Sequence, residues 1–174
     1  MPTTIVQGFA KLQENLQITD LQQATVETRQ KNVREAVAKE LTVLSSFVTG
    51  SYRRNTHIAP LSKADIDIFV VLDPSYYLAD GHASLIDRVK RVLKQTYPMT
   101  PEISRNGQAV TISFTDFKVD VVPAFNRQGG GYLIPDAVLK RWISTDPTQH
   151  VTIWNNADVT HLFQLVPVIR MVKQ

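Results

Sequence analysis

Three carboxylates hold the chemistry of this sequence. Asp65 and Asp67 stand two residues apart in Asp65-Ile-Asp-Ile-Phe-Val-Val-Leu72, a run rich in β-branched residues that reads as a strand. On a strand, that spacing sends both side chains off one face at a Cα separation of about 6–7 Å, with Ile66, Ile68 and Val70 on the other. Two carboxylates so close repel each other unless a cation compensates, so the pair is costly as architecture and suited to Mg²⁺. Asp120, in Val119-Asp-Val-Val-Pro123, alternates with valines in the same way and offers a third acid if its strand lies beside the first. Gly50-Ser51 ends an earlier apolar run and opens a basic stretch. N–H groups freed by Gly50, with the Ser51 hydroxyl, suit the terminal phosphates of a nucleotide. Alone, an Asp-x-Asp is a common surface pair and a Gly-Ser a common turn; their order along the chain gives them weight.

Periodicity predicts the elements that must position these groups. Thr19 with Gln22 resembles a capping box, and Leu21, Ala24, Val33, Ala36, Val37, Leu41 and Leu44 follow at helical spacing, predicting an amphipathic helix from residue 20 to about 42. Val43 to Val48 predicts a short buried strand ending at Gly50-Ser51, and Asp65 to Leu72 a second, stopped by Asp73-Pro74. Ser84 to Thr96 places Leu85, Val89, Val92 and Leu93 on one face of a helix that crosses back over the sheet. Residues 102–105 and 108–114 flank Asn106-Gly107, which predicts a type I′ hairpin, and Phe117 to Val122, closed by Pro123, completes an antiparallel meander.

Gly129-Gly130-Gly131 is a flexible connection and no phosphate-binding loop, since no Gly-Lys-Ser/Thr follows. Trp142, Thr145-Asp146-Pro147 and His150 fall in irregular sequence. Residues 158–173 predict a helix that Pro167 kinks or restarts. The last residues still carry that helical pattern, so the expectation is a catalytic domain over 1–155 and the start of a helical second lobe, cut short, over 156–174. The fold class is α+β, a mostly antiparallel mixed sheet with a long N-terminal helix and further helices packed on it.

Composition bounds the rest. The 174 residues are 43% hydrophobic with a net charge of +3, which excludes a disordered chain and allows one real core. Without cysteine there is no disulfide, thiolate zinc site or catalytic thiol. The N-terminus has no basic leader or apolar run, and Ile68 to Leu72 is far too short to cross a bilayer, so a soluble cytoplasmic protein without membrane contact is expected. The small net charge hides local contrast. Residues 50–64 carry Arg53, Arg54 and Lys63 with no acid, and residues 65–80 carry Asp65, Asp67, Asp73 and Asp80 with no base. No basic stripe with interleaved aromatics tracks a nucleic-acid backbone, so local phosphate binding, with Arg53 and Arg54 in reach, is preferred. His57, His82, His150 and His161 lack ligand spacing, Trp142 and Trp154 suit packing, and Arg88, Lys90, Arg91 and Lys94 form a solvated helix face.

Gly50-Ser51, then Asp65-Ile-Asp67, then a lone acid at Asp120 on a later strand resembles the signature of the polymerase-β-like nucleotidyltransferases. Phe47-Val-Thr-Gly-Ser-Tyr-Arg-Arg-Asn-Thr-His-Ile58, Val119-Asp-Val-Val-Pro-Ala-Phe125, Ile134-Pro135, and Trp142 with Thr145-Asp-Pro147 and His150 are similar to the bacterial cyclic-oligonucleotide synthases related to cyclic GMP-AMP synthase and oligoadenylate synthetase. The resemblance implies that Asp65, Asp67 and Asp120 ligate two Mg²⁺ ions (or Mn²⁺) about 3.5–4 Å apart, with Asp120 also helping to activate the attacking ribose hydroxyl. It implies that Gly50 and Ser51 grip the triphosphate, and that Lys173, in Ile169-Arg-Met-Val-Lys173, faces the nucleotide. The expected reaction joins nucleoside triphosphates into a cyclic di- or trinucleotide and releases pyrophosphate, in bacterial antiphage signalling and under a regulatory protein partner. The same fold with an RNA, small-molecule or protein acceptor, or a catalytically incomplete nucleotide-binding fragment, is the alternative. Absence of cysteine removes the zinc insertion of the animal DNA sensor, so direct duplex DNA binding is not expected.

Overall fold

The computed structural model describes residues 4–174. Helix α1 (Ile5–Asn15) precedes α2 (Asp20–Glu40), whose start is fixed by the predicted capping box: the Gln22 amide donates to Thr19 Oγ1 at 3.2 Å and the Thr19 amide to Gln22 Oε1 at 2.9 Å. β1 (Val43–Val48), the single turn α3 (Gly50–Arg53), β2 (Asp65–Leu72) and α4 (His82–Thr96) follow. Then come β3 (Glu102–Asn106), β4 (Ala109–Ser113), β5 (Lys118–Asn126), β6 (Tyr132–Asp136), β7 (Arg141–Thr145), α5 (Pro147–Thr160) and α6 (Leu165–Val172).

The sheet runs β1-β2-β5-β4-β3, with the β6–β7 hairpin attached to the far end of β5. Among the described residues only β2 and β5 pair in parallel; the other pairings are antiparallel. Side-chain alternation divides the two faces cleanly. Ile66, Ile68, Val70, Val119 and Val121 meet Val26, Val33 and Val37 of α2 and Leu85, Ile86 and Val89 of α4 in the main core. On the opposite face Phe69, Val122 and Ala124 lie under Ile134, Tyr132 and Ile143 of the β6–β7 hairpin. That hairpin covers only the C-terminal ends of β2 and β5. Their N-terminal ends, which hold Asp65, Asp67 and Asp120, stay open on this face.

The structure departs from the sequence expectations where tertiary partners decide. β1 is half-buried, not buried, because it is the edge strand and has no neighbour on its outer side. The β3–β4 turn is Gly107-Gln108, since Asn106 pairs with Ala109 and only Gly107, at φ +58°, takes a positive φ; that is the pattern of a type II′ turn, one residue on from Asn106-Gly107. β5 continues through Pro123 to Asn126. Its pairing to β4 ends at Val121 and its pairing to β6 begins at Phe125, so Pro123, which has no N–H to give, sits where that edge has no partner. Residues 132–145 are a hairpin, not irregular sequence, and α5 begins at Pro147, well before residue 158. α6 is a fresh start after the break at residues 161–164, with Pro167 in its first turn, where no intrahelical N–H is needed.

Candidate active site

The acids meet through register. In the parallel β2–β5 pair Asp67 lies opposite Asp120 and Asp65 opposite Lys118, at a strand separation of about 4.8 Å. All three carboxylates therefore rise from the same open patch of the sheet. They line a cleft of about 430 Å³ together with Gly50, Ser51, Arg54, Thr56, His57 and Lys173. Of the predicted site residues, Asp65, Asp67, Asp120, Gly50, Ser51 and Lys173 are in this cleft. Arg53 is not. It lines a separate groove behind α3, and the arginine beside the acids is its neighbour Arg54.

β1 delivers Gly50 to the acids. The backbone pairing of β1 and β2 extends by one further bond, from the Thr49 amide to the Asp67 carbonyl at 2.9 Å, so the next residue lies directly over the Asp67 side chain. Gly50 has φ +65°, and a Cβ there would overlap an Asp67 carboxylate oxygen and come within 2.8 Å of its Cγ. Glycine is thus required twice, by its backbone angle and by the space that the carboxylate occupies.

Electrostatics mark the cleft as a place of excess negative charge. Burial, then Asp120 and Asp65, push Asp67 up to about 6, against a smaller opposing pull from Arg54. Asp120 is also raised, by burial first and by Asp65, while hydrogen bonds from Thr111 and Asn106 pull it down. Thr111 lies opposite Asp120 on β4 and donates its hydroxyl to Oδ1 at 2.5 Å. None of the three acids forms an ion pair among the described residues. Nor do any three acid, histidine or cysteine side chains among the described residues converge into a ready-made metal cage. The donor set nevertheless fits a hard divalent cation: carboxylate oxygens only, on two adjacent strands, whose charge Arg54 and Lys118 offset only in part.

Opposite the acids, α6 clamps the loop that leads into β2. Arg170 donates to the Asn55 carbonyl at 2.9 Å and to its Oδ1 at 2.6 Å, and Lys173 Nζ donates to the Thr56 carbonyl at 3.0 Å. The His57 ring stacks on Tyr52 at 4.9 Å, and burial, then Arg170 and Lys173, hold its imidazole down to about 4. The sequence marks His57 as an ordinary histidine and Asn106 as a turn residue, and it carries no site signal for Arg170. The one sequence signal for Thr111 was its place on a strand beside the Asp120 strand. Trp142 packs as expected, against Tyr77 and Phe125, with its indole N–H on the Ala79 carbonyl at 2.8 Å.

Residues 3–157 match the Second Messenger Oligonucleotide or Dinucleotide Synthetase domain. The chain belongs to that family. The synthetase domain is 28% identical over 134 residues, 74% of this chain and 38% of the relative, to the cyclic AMP-AMP-AMP synthase of Acinetobacter sp. (strain ATCC 27244 / 9458). Among solved structures it is similar to the Bradyrhizobium diazoefficiens CD-NTase CdnG in complex with GTP, at a TM-score of 0.72 and 17% identity over 86% of this chain and 47% of that one. It is also similar to CdnC of E. coli MS115-1 in its complex with HORMA-deltaN, at a TM-score of 0.67 and 14% identity over 97% of this chain and 54% of that one. These likenesses show the polymerase-β-like nucleotidyltransferase fold of the bacterial relatives of cyclic GMP-AMP synthase. The synthetase domain spans about half or less of the length of these relatives. No helix among its described residues is long and apolar enough to cross a membrane.

Proposed function

We propose that the protein joins nucleoside triphosphates into a cyclic di- or trinucleotide with release of pyrophosphate, and that the acidic cleft is where the bond forms. The observation that supports this most is the Asp67–Asp120 register with Gly50 cleared of side chain above Asp67, in a chain of the second-messenger synthetase family. Asp65, Asp67 and Asp120 would hold two Mg²⁺ ions, or Mn²⁺, which supply Lewis-acid charge at the phosphate and ease ionisation of the attacking hydroxyl. Asp120, whose burial makes it a stronger base than a free carboxylate, accepts the proton of that hydroxyl. Gly50 and Ser51 border the triphosphate from above, while Arg54 and Lys173 supply the positive charge that the acids lack. Lys173 exchanges its present bond to the Thr56 carbonyl for a phosphate oxygen.

The relative named for a cyclic AMP-AMP-AMP product supports ring closure, and the GTP and HORMA-deltaN complexes of the structural relatives support triphosphate substrates and a regulatory protein partner. An output in antiphage signalling rests on the family resemblance. The test incubates the full-length protein with Mg²⁺ or Mn²⁺ and all four nucleoside triphosphates, then treats the product with phosphatase. A phosphatase-resistant oligonucleotide with stoichiometric pyrophosphate is expected. A phosphatase-sensitive or acceptor-linked product overturns cyclisation, and no pyrophosphate at all overturns the activity.

A further inference from the structure

Arg53 leads away from the acidic cleft to a groove that the proposed reaction does not use. This groove, about 600 Å³, lies behind α3 between α2, β1 and α5, within the range of small-molecule sites. Arg34 of α2 and Arg53 of α3 enter it from two sides, Phe47 gives it an apolar wall, and Thr148, Thr152 and Asn155 of α5 supply hydroxyl and amide groups along the rim. No acid lines it. Neither arginine has an ion pair or side-chain hydrogen bond among the described residues. Two unpartnered guanidiniums that share one groove with neutral hydrogen-bonding groups and no carboxylate form a phosphate-selective environment, since each presents a fork of donors to a dianion. A smaller recess lies between groove and cleft: it shares Thr49 and Pro147 with the groove, and Gly50, Arg54 and Asp67 with the acidic cleft.

We infer that the Arg34–Arg53 groove is a second binding site for a phosphate-bearing nucleotide, separate from the acidic cleft and independent of divalent metal. The phosphates lie between the two guanidiniums and the remainder of the nucleotide meets Phe47 and the α5 rim. The two sites differ in their electrostatics. Without metal the acidic cleft repels a polyphosphate, whereas the groove binds it through arginine alone, so chelation separates them.

The test is calorimetric titration of ATP into the purified protein in excess EDTA. Saturable one-site binding is expected, weakened at least tenfold by Arg34→Ala and by Arg53→Ala and left within twofold by Lys173→Ala in the acidic cleft. Thr152→Glu, on the exposed rim, places a carboxylate in the groove without removing either arginine and also abolishes binding, which guards against a loss of fold in the arginine variants. Absence of saturable binding by the folded wild-type protein, or binding that follows Lys173 and ignores Arg34, Arg53 and Thr152, overturns the inference. Because no turnover is measured, its failure is distinct from failure of the synthase activity.

Discussion

Gly50 lies so close over Asp67 that the carboxylate of one fills the space where a side chain of the other would stand. The turn after β1 and the acid of β2 are therefore a single fitted unit. Gly50→Ala is expected to cost about 1–3 kcal/mol from its positive φ alone, and more from the collision. Adding Asp67→Ala removes the collision. In a double-mutant cycle the thermal midpoint then recovers in part while pyrophosphate release stays lost. Additive losses of stability in the double variant contradict the fit.

Asp67 also sets a pH dependence. Its carboxyl is pushed up to about 6 in the folded chain, from 3.8. A carboxyl raised on folding binds its proton more tightly in the folded state, so its stabilising contribution is complete below the unfolded value and is lost as pH rises through about 6. Metal-free protein is expected to lose thermal stability between about pH 4 and pH 6 relative to Asp67→Asn, and Mg²⁺ at neutral pH should raise the midpoint of the wild type more than that of the variant. Parallel pH curves for the two proteins contradict this.

Thr111 is expected to tune Asp120 through its hydroxyl. Thr111→Val removes the bond that holds the Asp120 carboxyl down, so less of it is ionised at a given pH. The acid limb of the pyrophosphate-release profile moves to higher pH in Thr111→Val and returns in Thr111→Ser. An unshifted profile with a uniformly lower rate assigns Thr111 to packing alone.

Arg170 holds the loop between α3 and β2 by two charge-assisted bonds to Asn55. At this partly exposed position they contribute about 1 kcal/mol together. In Arg170→Ala the amides of Asn55 to Ile58 are expected to exchange roughly fivefold faster, with no change in the β2 and β5 amides. Equal protection in both proteins removes the clamp from the account.

The common face of Asp65 and Asp67 was legible from alternation, and the fold class from the order of the elements. The Asp67–Asp120 pairing was not, because the register of two strands some fifty residues apart is decided by how α2 and α4 pack on the sheet. The hairpin slip has a local cause: Asn106-Gly107 permits a type I′ turn, and moving the turn by one residue puts Asn106 on the sheet, where its side chain reaches Asp120. β6 and β7 hid behind Pro135 and a polar Arg141-Trp-Ile-Ser-Thr145, since their reason to be strands is the apolar patch of Phe69, Val122 and Ala124 that they cover. Arg53 and Arg54, both expected near phosphate, part for a simpler reason. Adjacent residues of a helical turn point about 100° apart, and no periodicity in a four-residue turn says which one faces the acids.

The central claim is that Asp65, Asp67 and Asp120 act as one phosphoryl-transfer centre. It is tested most directly by the rate of pyrophosphate release by full-length protein with Mg²⁺ and all four nucleoside triphosphates, in wild type and in Asp120→Asn, the acid that lies on a different strand from the other two. Loss of charge stabilisation on the order of 4 kcal/mol corresponds to a fall of about a thousandfold, with the fold retained by circular dichroism. A folded Asp120→Asn protein that turns over within a few-fold of wild type would show that Asp120 takes no part in the reaction.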